Sequence, residues 1–326
     1  MENTLTWDKT TKRRLSRRLK ALKPFDPYHS ALCTCGPKLT LNVYNGCGYE
    51  CFYCYTSSYS RGRWGRASGT WSVRPQIIQN LTKDLATLKA AEGSALAALR
   101  TLPVVVSLSS DPYPDAPQAS EVQLGATRQC LQLLTEAGMA VLIQTKSDLV
   151  CRDLEVLDAR RTVIGITVTT LDEQLAARME PYCPMPRRRI QALAQAAARG
   201  FATLCRIDPI VPLVNDDEAG LEALVRRLAD AGVRHIVSST FKKRADSARR
   251  FAYLFPEAER ASRSWYESIP VSGYYYLAAE RRRAILERLA HLVARHCLTF
   301  ATCREGLELL NTARCDGQHF LELDKQ

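Results

Sequence analysis

The sequence has no run of about 18 apolar residues, so it predicts no membrane-spanning helix. No apolar segment of signal-peptide type follows the opening Met-Glu-Asn, so no secretory signal is expected and the predicted setting is cytoplasmic. Histidine is rare, five in 326 residues, and none follows a cysteine pair at zinc-finger spacing. Acid is missing altogether from residues 9–23, KTTKRRLSRRLKALK, which carry eight basic residues. Charged residues at 24% and hydrophobic residues at 46% are ordinary for a globular chain, which excludes a wholly disordered or collagen-like one.

What the chain does have is cysteine, twelve of them. They are too dilute for a disulfide scaffold, and a reducing compartment forms none, so metal ligation or catalysis is expected. It also has a formal net charge of +11 and a pI near 9.1, which points to a polyanionic partner or to a solvated basic surface. In the acid-free run, Leu15, Leu19 and Leu22 recur at spacings of four and three. That predicts a basic amphipathic helix, with a frayed solvated arm as the alternative. Pro24 and Pro27 break the pattern.

Six apolar, β-branched runs predict strands: 39–45, 102–110, 140–147, 162–170, 201–211 and 233–240. Helical patterns lie between them at 75–91, 121–137, 171–180 with 186–199, and 216–231. Gly138, Gly200 and Gly232 each stand between a helix and a strand, where a left-handed C-cap is suited. This alternation predicts an α/β fold with a parallel sheet, open or closed into a partial or full barrel. Residues 1–38 read as a basic leader, 39–240 as the barrel, and 241–326 as a mainly helical extension.

Cys47, Cys51 and Cys54 sit at spacings of four and three in GCGYECFYCYT, just after the first predicted strand. One face of a helix lined with buried cysteines is one reading. Zinc is a second, since Cys51-x-x-Cys54 is a common half-site. The third is a [4Fe–4S] cubane held by three thiolates, with its fourth iron open.

In this context the triplet resembles the radical S-adenosylmethionine superfamily. SSDPYPDAP (109–117), QTKSDLVCRDLEVL (144–157), ITVTTLDEQLAARMEP (166–181) and CRIDPIVPLVND (205–216) resemble its spore photoproduct lyase-like, or DNA repair photolyase-like, branch. The resemblance covers about residues 33 to 240. It implies a partial (βα)6 barrel in which the open iron chelates S-adenosylmethionine. An electron from a donor such as flavodoxin or ferredoxin would then release a 5′-deoxyadenosyl radical. Tyr53 matches the aromatic position near the adenine.

Polar residues at the strand ends face the barrel mouth in such a fold. Lys146 would pair with the methionine carboxylate, and Ser109, Ser110 or Asp111 with its ammonium. Asp111 before Pro112 also suits a turn. Thr167 and Thr169 lie in the fourth predicted strand, and Arg206 and Asp208 end the fifth, where they would meet cofactor or substrate or pair with each other. The repair enzymes carry a hydrogen-donating cysteine near the end of strand two. Here there is no cysteine between Tyr55 and Gln129, so a different substrate is expected, with Cys205 or Tyr113 as spare donors.

A second site is predicted from Cys33, Cys35, Cys303 and Cys315, joining the two ends of the chain around an iron–sulfur cluster or zinc, with His319 spare. Unrelated packing roles are the alternative for these four. Cys130 and Cys297 read as core. Arg61, Arg63 and Arg66 interleave with Trp64, and with 241–250 and the 266–276 aromatics they suit phosphate contact and base stacking. Nucleic acid, DNA or RNA, is the expected substrate. A protein or peptide side chain is the alternative, and a non-catalytic iron–sulfur or zinc module the third.

Overall fold

Val, Ile and Leu crowd the strand segments because a parallel sheet is covered on both faces. The strands are β1 (Leu22–Pro24), β2 (Leu39–Leu41), β3 (Tyr44–Asn45), β4 (Ser72–Val73), β5 (Val104–Val106), β6 (Val141–Thr145), β7 (Thr162–Thr167), β8 (Ala202–Ile210), β9 (His235–Thr240) and β10 (Thr299–Thr302). They come from a computed structural model that describes residues 9–25, 32–33, 35–58, 72–91, 96–115 and 120–321. Every residue of β5, β7 and β9 is buried.

The main sheet runs β1-β2-β5-β6-β7-β8-β9-β10. All neighbours from β2 to β10 are parallel, and β1 is antiparallel at the edge. The six expected strands are all present, in order, and among the described residues no ladder closes the barrel. Two more strands flank them, β1 from the segment read as leader and β10 from the extension. The extension otherwise supplies helices Ala245–Leu254, Pro256–Ser262 and Ala279–Arg295. Gly138, Gly200 and Gly232 take φ of 68°, 83° and 79°, the left-handed caps that only glycine enters cheaply.

Side chains alternate across a strand, so each strand serves two environments. One face carries Leu39, Leu41, Val104, Val106, Ile164, Ile166, Cys205 and Ile207 into the helix-covered core. The other carries Val105, Leu142, Val163, Leu204, Val237 and Ala301.

The acid-free run is helical at Lys9–Arg18. Leu15 and Leu19 are buried against the main core, while Arg13, Arg14, Arg17 and Arg18 are exposed. Buried Asp84 accepts from the backbone N–H groups of Lys20, Ala21 and Leu22 at 2.8, 2.7 and 2.8 Å. The frayed-arm alternative is therefore excluded. Cys297 also departs from expectation: it is exposed, because the helix ends at Arg295 and Cys297 turns the chain with φ 56°. Cys130 is buried in the core as expected. No described helix is long and apolar enough to cross a membrane.

Candidate functional site

The cysteine loop leaves β3 and is held from three directions. The N–H of Phe52 donates to the Met179 carbonyl at 3.0 Å. Its ring lies among Phe241, Phe251 and Phe255, with centroids 5.4, 6.0 and 5.4 Å away. Arg250, on helix Ala245–Leu254, donates to the Phe52 carbonyl and to Ser57 Oγ, each at 2.8 Å. The extension thus clamps the loop, although its residues lie nearly 200 positions downstream.

Cys47, Cys51 and Cys54 share one apolar cluster with Tyr49, Tyr53 and Cys183. Cys51 and Cys183 bring their sulfurs to 3.9 Å. Behind them is a buried charged group. Arg189 Nη1 meets Glu180 Oε2 at 2.5 Å, with the two side chains 1% and 0% exposed. The Tyr53 hydroxyl donates to the other Glu180 oxygen. Lys146, just past β6, lies over the Tyr53 ring with Nζ 5.5 Å from its centroid.

The electrostatics follow from burial and these neighbours. Burial pushes the Cys47 and Cys54 thiols up. Cys51 goes the other way, because the Cys183 thiol donates to it and Lys146 and Arg189 add positive charge. Burial raises the Glu180 carboxyl, but Arg189 and Lys146 outweigh it and hold it below the usual carboxylate range. Burial disfavours the Lys146 cation, yet Cys51 and Glu180 keep it charged and raised.

Among the described residues, no three His, Cys, Asp or Glu side chains are drawn together tightly enough to grip a bare metal ion. The donor set still fits an iron–sulfur cluster in its chemistry. Three soft thiols lie in one apolar cluster, and two buried cations stand ready to offset thiolate charge.

The other expected residues divide. Asp111 Oδ1 accepts from Thr145 Oγ1 at 2.7 Å and from the Tyr113 N–H at 3.0 Å, and Oδ2 accepts from the Lys146 N–H at 2.9 Å. It builds the turn that presents Lys146. The N–H of Ser109 donates to Asn42 Oδ1 at 3.0 Å, and Ser110 Oγ donates to the Tyr44 carbonyl at 3.2 Å. The Thr167 carbonyl accepts from Arg189 at 3.1 Å, while buried Thr169 Oγ1 has no hydrogen-bond partner among the described residues. Arg206 and Asp208 pair with each other, Asp208 also accepts from Ser239, and Arg206 reaches Cys303.

Of the two spare hydrogen donors, Tyr113 adjoins the cysteine loop through its backbone, whose carbonyl accepts from the Tyr49 hydroxyl at 2.8 Å. Cys205 belongs to the helix-side core, because alternation along β8 puts it opposite Arg206. Tyr113 is fully buried in that same core beside Asp153. Arg61, Arg63, Trp64 and Arg66 lie outside the described residues. Sequence reasoning assigned no role to Glu180, Cys183 or Arg189. They stand in MEPYCPMPRRR with no spacing that marks them, and only the fold sets them against a loop 130 residues earlier.

The second cysteine group is also brought together. Cys35 and Cys315 place their sulfurs 3.2 Å apart, Cys33 interacts electrostatically with Cys35, and Cys303 with Cys33, Cys35 and Cys315. His319 instead stacks near His235 and Phe320.

No family model matches the chain. It is 30% identical over 207 residues to the uncharacterized protein MJ0683 of Methanocaldococcus jannaschii, covering 62% of this chain and 70% of that one. It is 28% identical over 217 residues to the uncharacterized protein ORF301 of Acidianus two-tailed virus, covering 63% and 67%. Among solved structures, a spore photoproduct lyase with bound AdoMet and dinucleoside spore photoproduct superposes with a TM-score of 0.64, 12% identity, and 84% and 77% coverage. The fold is the one the resemblance implied, and by sequence this chain belongs to the same family as the uncharacterized protein MJ0683 of Methanocaldococcus jannaschii.

Proposed function

We propose that this chain is a radical S-adenosylmethionine enzyme that acts on nucleic acid. The observation that carries the first part is the gathering of Cys47, Cys51 and Cys54 in one apolar cluster facing Lys146. A [4Fe–4S] cluster held there supplies one-electron reductive cleavage of S-adenosylmethionine, the chemistry this thiol set suits. Cys47, Cys51 and Cys54 would hold the cluster. Lys146 would offset the carboxylate of a bound methionine moiety. Glu180, braced by Arg189, fixes the Tyr53 ring at the adenine position. The buried cluster of aromatics around Phe52 keeps water from the loop.

The second part rests on charge. The formal net charge is +11, and helix Lys9–Arg18 exposes four arginines along the side its leucines leave free. Support also comes from the shared fold of a lyase whose structure holds a dinucleoside.

Replacing Lys146 with alanine should weaken S-adenosylmethionine binding about tenfold or more. A hydrogen bond to a charged group is worth about 1.5–3 kcal/mol, and titration calorimetry reads the change. Unchanged affinity would remove Lys146 from the cofactor site.

Binding to single-stranded DNA and RNA should weaken by more than about tenfold between about 50 and 200 mM salt if about four phosphates are neutralised. Changing Arg13, Arg14, Arg17 and Arg18 to glutamine should flatten that log–log slope by roughly 0.7–0.9 per lost contact. Glutamine keeps Leu15 and Leu19 seated, whereas removing residues 1–23 would unseat them and orphan Asp84. Binding that is absent, or indifferent to salt, would overturn the nucleic-acid reading and favour a peptide substrate.

A further inference from the structure

We infer that Cys33, Cys35, Cys303 and Cys315 form a second metal site, a tetrathiolate that takes a single zinc ion and staples the two ends of the chain together. The inference stands apart from the proposed function, since none of its four ligands belongs to the cysteine loop.

The geometry comes first. Cys35 and Cys315 are 280 positions apart in sequence, yet their sulfurs lie at 3.2 Å. A zinc–sulfur distance of about 2.3 Å makes the edge of a tetrahedral S4 site roughly 3.8 Å. The pair is therefore already near the spacing of two ligands on one ion. It is too close for two corners of a cubane, where irons and sulfides stand between the thiolates. Cys33 lies within electrostatic reach of Cys35, and Cys303 within reach of the other three. The thiols must still turn about their Cα–Cβ bonds to close the tetrahedron, because among the described residues no three are yet in ligand positions.

The surroundings suit a thiophilic ion. Cys315 is buried, and Cys35 and Cys303 are partly buried, on the sheet face formed by Val105, Leu142, Val163, Leu204, Val237 and Ala301. Thiolates in such a setting need positive charge, and two cations are in place. Lys38, 2% exposed, lies within electrostatic reach of Cys35 and pairs with Asp316, and Arg206 reaches Cys303. Metal binding drives the thiol protons into solvent and leaves sulfur–zinc bonds, with no electron transferred. A soft S4 tetrahedron selects zinc, or a single iron, over hard cations.

The consequence is structural. Cys33 and Cys35 precede β2, Cys303 follows β10, and these strands are near the two edges of the open sheet. One ion bonded to both ends spans the gap that no ladder closes among the described residues.

The test uses the full chain, isolated under reducing conditions and analysed for zinc and iron together. One zinc per chain is expected, released by a mercurial thiol reagent and read with a colorimetric chelator. Cys35→Ser and Cys315→Ser should each lose the zinc, while alanine at Cys47, Cys51 and Cys54 should retain it. If the serine variants fail to fold, mercurial release from the natural chain still decides. The inference is overturned by a chain without zinc, by zinc that survives both serine variants, or by about four irons beyond one cluster. It is likewise overturned by an intact mass about 2 Da low with two thiols missing, which would mark a Cys35–Cys315 disulfide.

Discussion

Anaerobic reconstitution of the Cys47→Ala/Cys51→Ala/Cys54→Ala chain should yield about four fewer irons than the natural protein, the content of one cubane. The same variant should lose all conversion of S-adenosylmethionine to 5′-deoxyadenosine. The effect is all-or-none because three thiolates are the fewest that hold the cluster while leaving one iron open. Each sits on the short loop between β3 and the turn at Tyr55–Ser58. Cys183, 3.9 Å from Cys51, is the one further thiol in that apolar group among the described residues. It should not rescue the triple variant, since a single thiolate cannot hold a cubane. Equal iron in the two proteins would end the assignment of the trio.

Arg189→Met should cost about 3–5 kcal/mol of folding stability, the usual penalty for leaving a buried charge without its partner. Glu180 would then be buried beside only Lys146 and the Tyr53 hydroxyl. The pH dependence has a definite sign. In the natural chain Glu180 is held below its ordinary range, so its contribution is present at neutral pH and is lost as pH falls through that depressed value. In the variant, burial dominates and pushes Glu180 up, so protonation relieves the strain and the deficit should shrink on acidification. Urea unfolding at pH 7 and pH 4 measures both numbers. Adding Glu180→Gln should recover part of the loss, because the charge that needed a partner is gone. A deficit under about 1 kcal/mol at pH 7 would show that the pair is not the brace described.

The pair also bears on the site. Glu180 receives the Tyr53 hydroxyl, and Lys146 stands over the Tyr53 ring. Loss of Arg189 should therefore loosen the aromatic that flanks the cysteine loop, and S-adenosylmethionine affinity should fall together with stability.

Much of this protein is local and so readable in one dimension. The six strands and the long helices follow from apolar period and length, because hydrophobic alternation and chain continuity act over a few residues. The cysteine triplet is equally local: one loop, fixed spacing, soft ligands. The leucines of the basic run are buried as their spacing suggested, but the helix stops at Arg18, so Leu15 alone lies within it and Leu22 opens β1. What the sequence does not carry is which way a strand residue faces. Cys205 and Arg206 are adjacent in sequence, and the pleat sends them to opposite sides of β8. Cys297 failed because a pattern of apolar residues does not say where a helix stops.

By itself the sequence determined the α/β class, the order of its strands, the thiol triplet and the pairing of four further cysteines as candidates. The tertiary structure alone decided that Glu180, Cys183 and Arg189 lie behind the triplet and that an extension helix clamps its loop through Arg250. It alone decided that Cys35 meets Cys315 across 280 residues. The physical reason is the same in each case. Local structure is governed by neighbours along the chain, whereas charge pairing, ligand gathering and burial depend on which distant segments the closed hydrophobic core brings into contact.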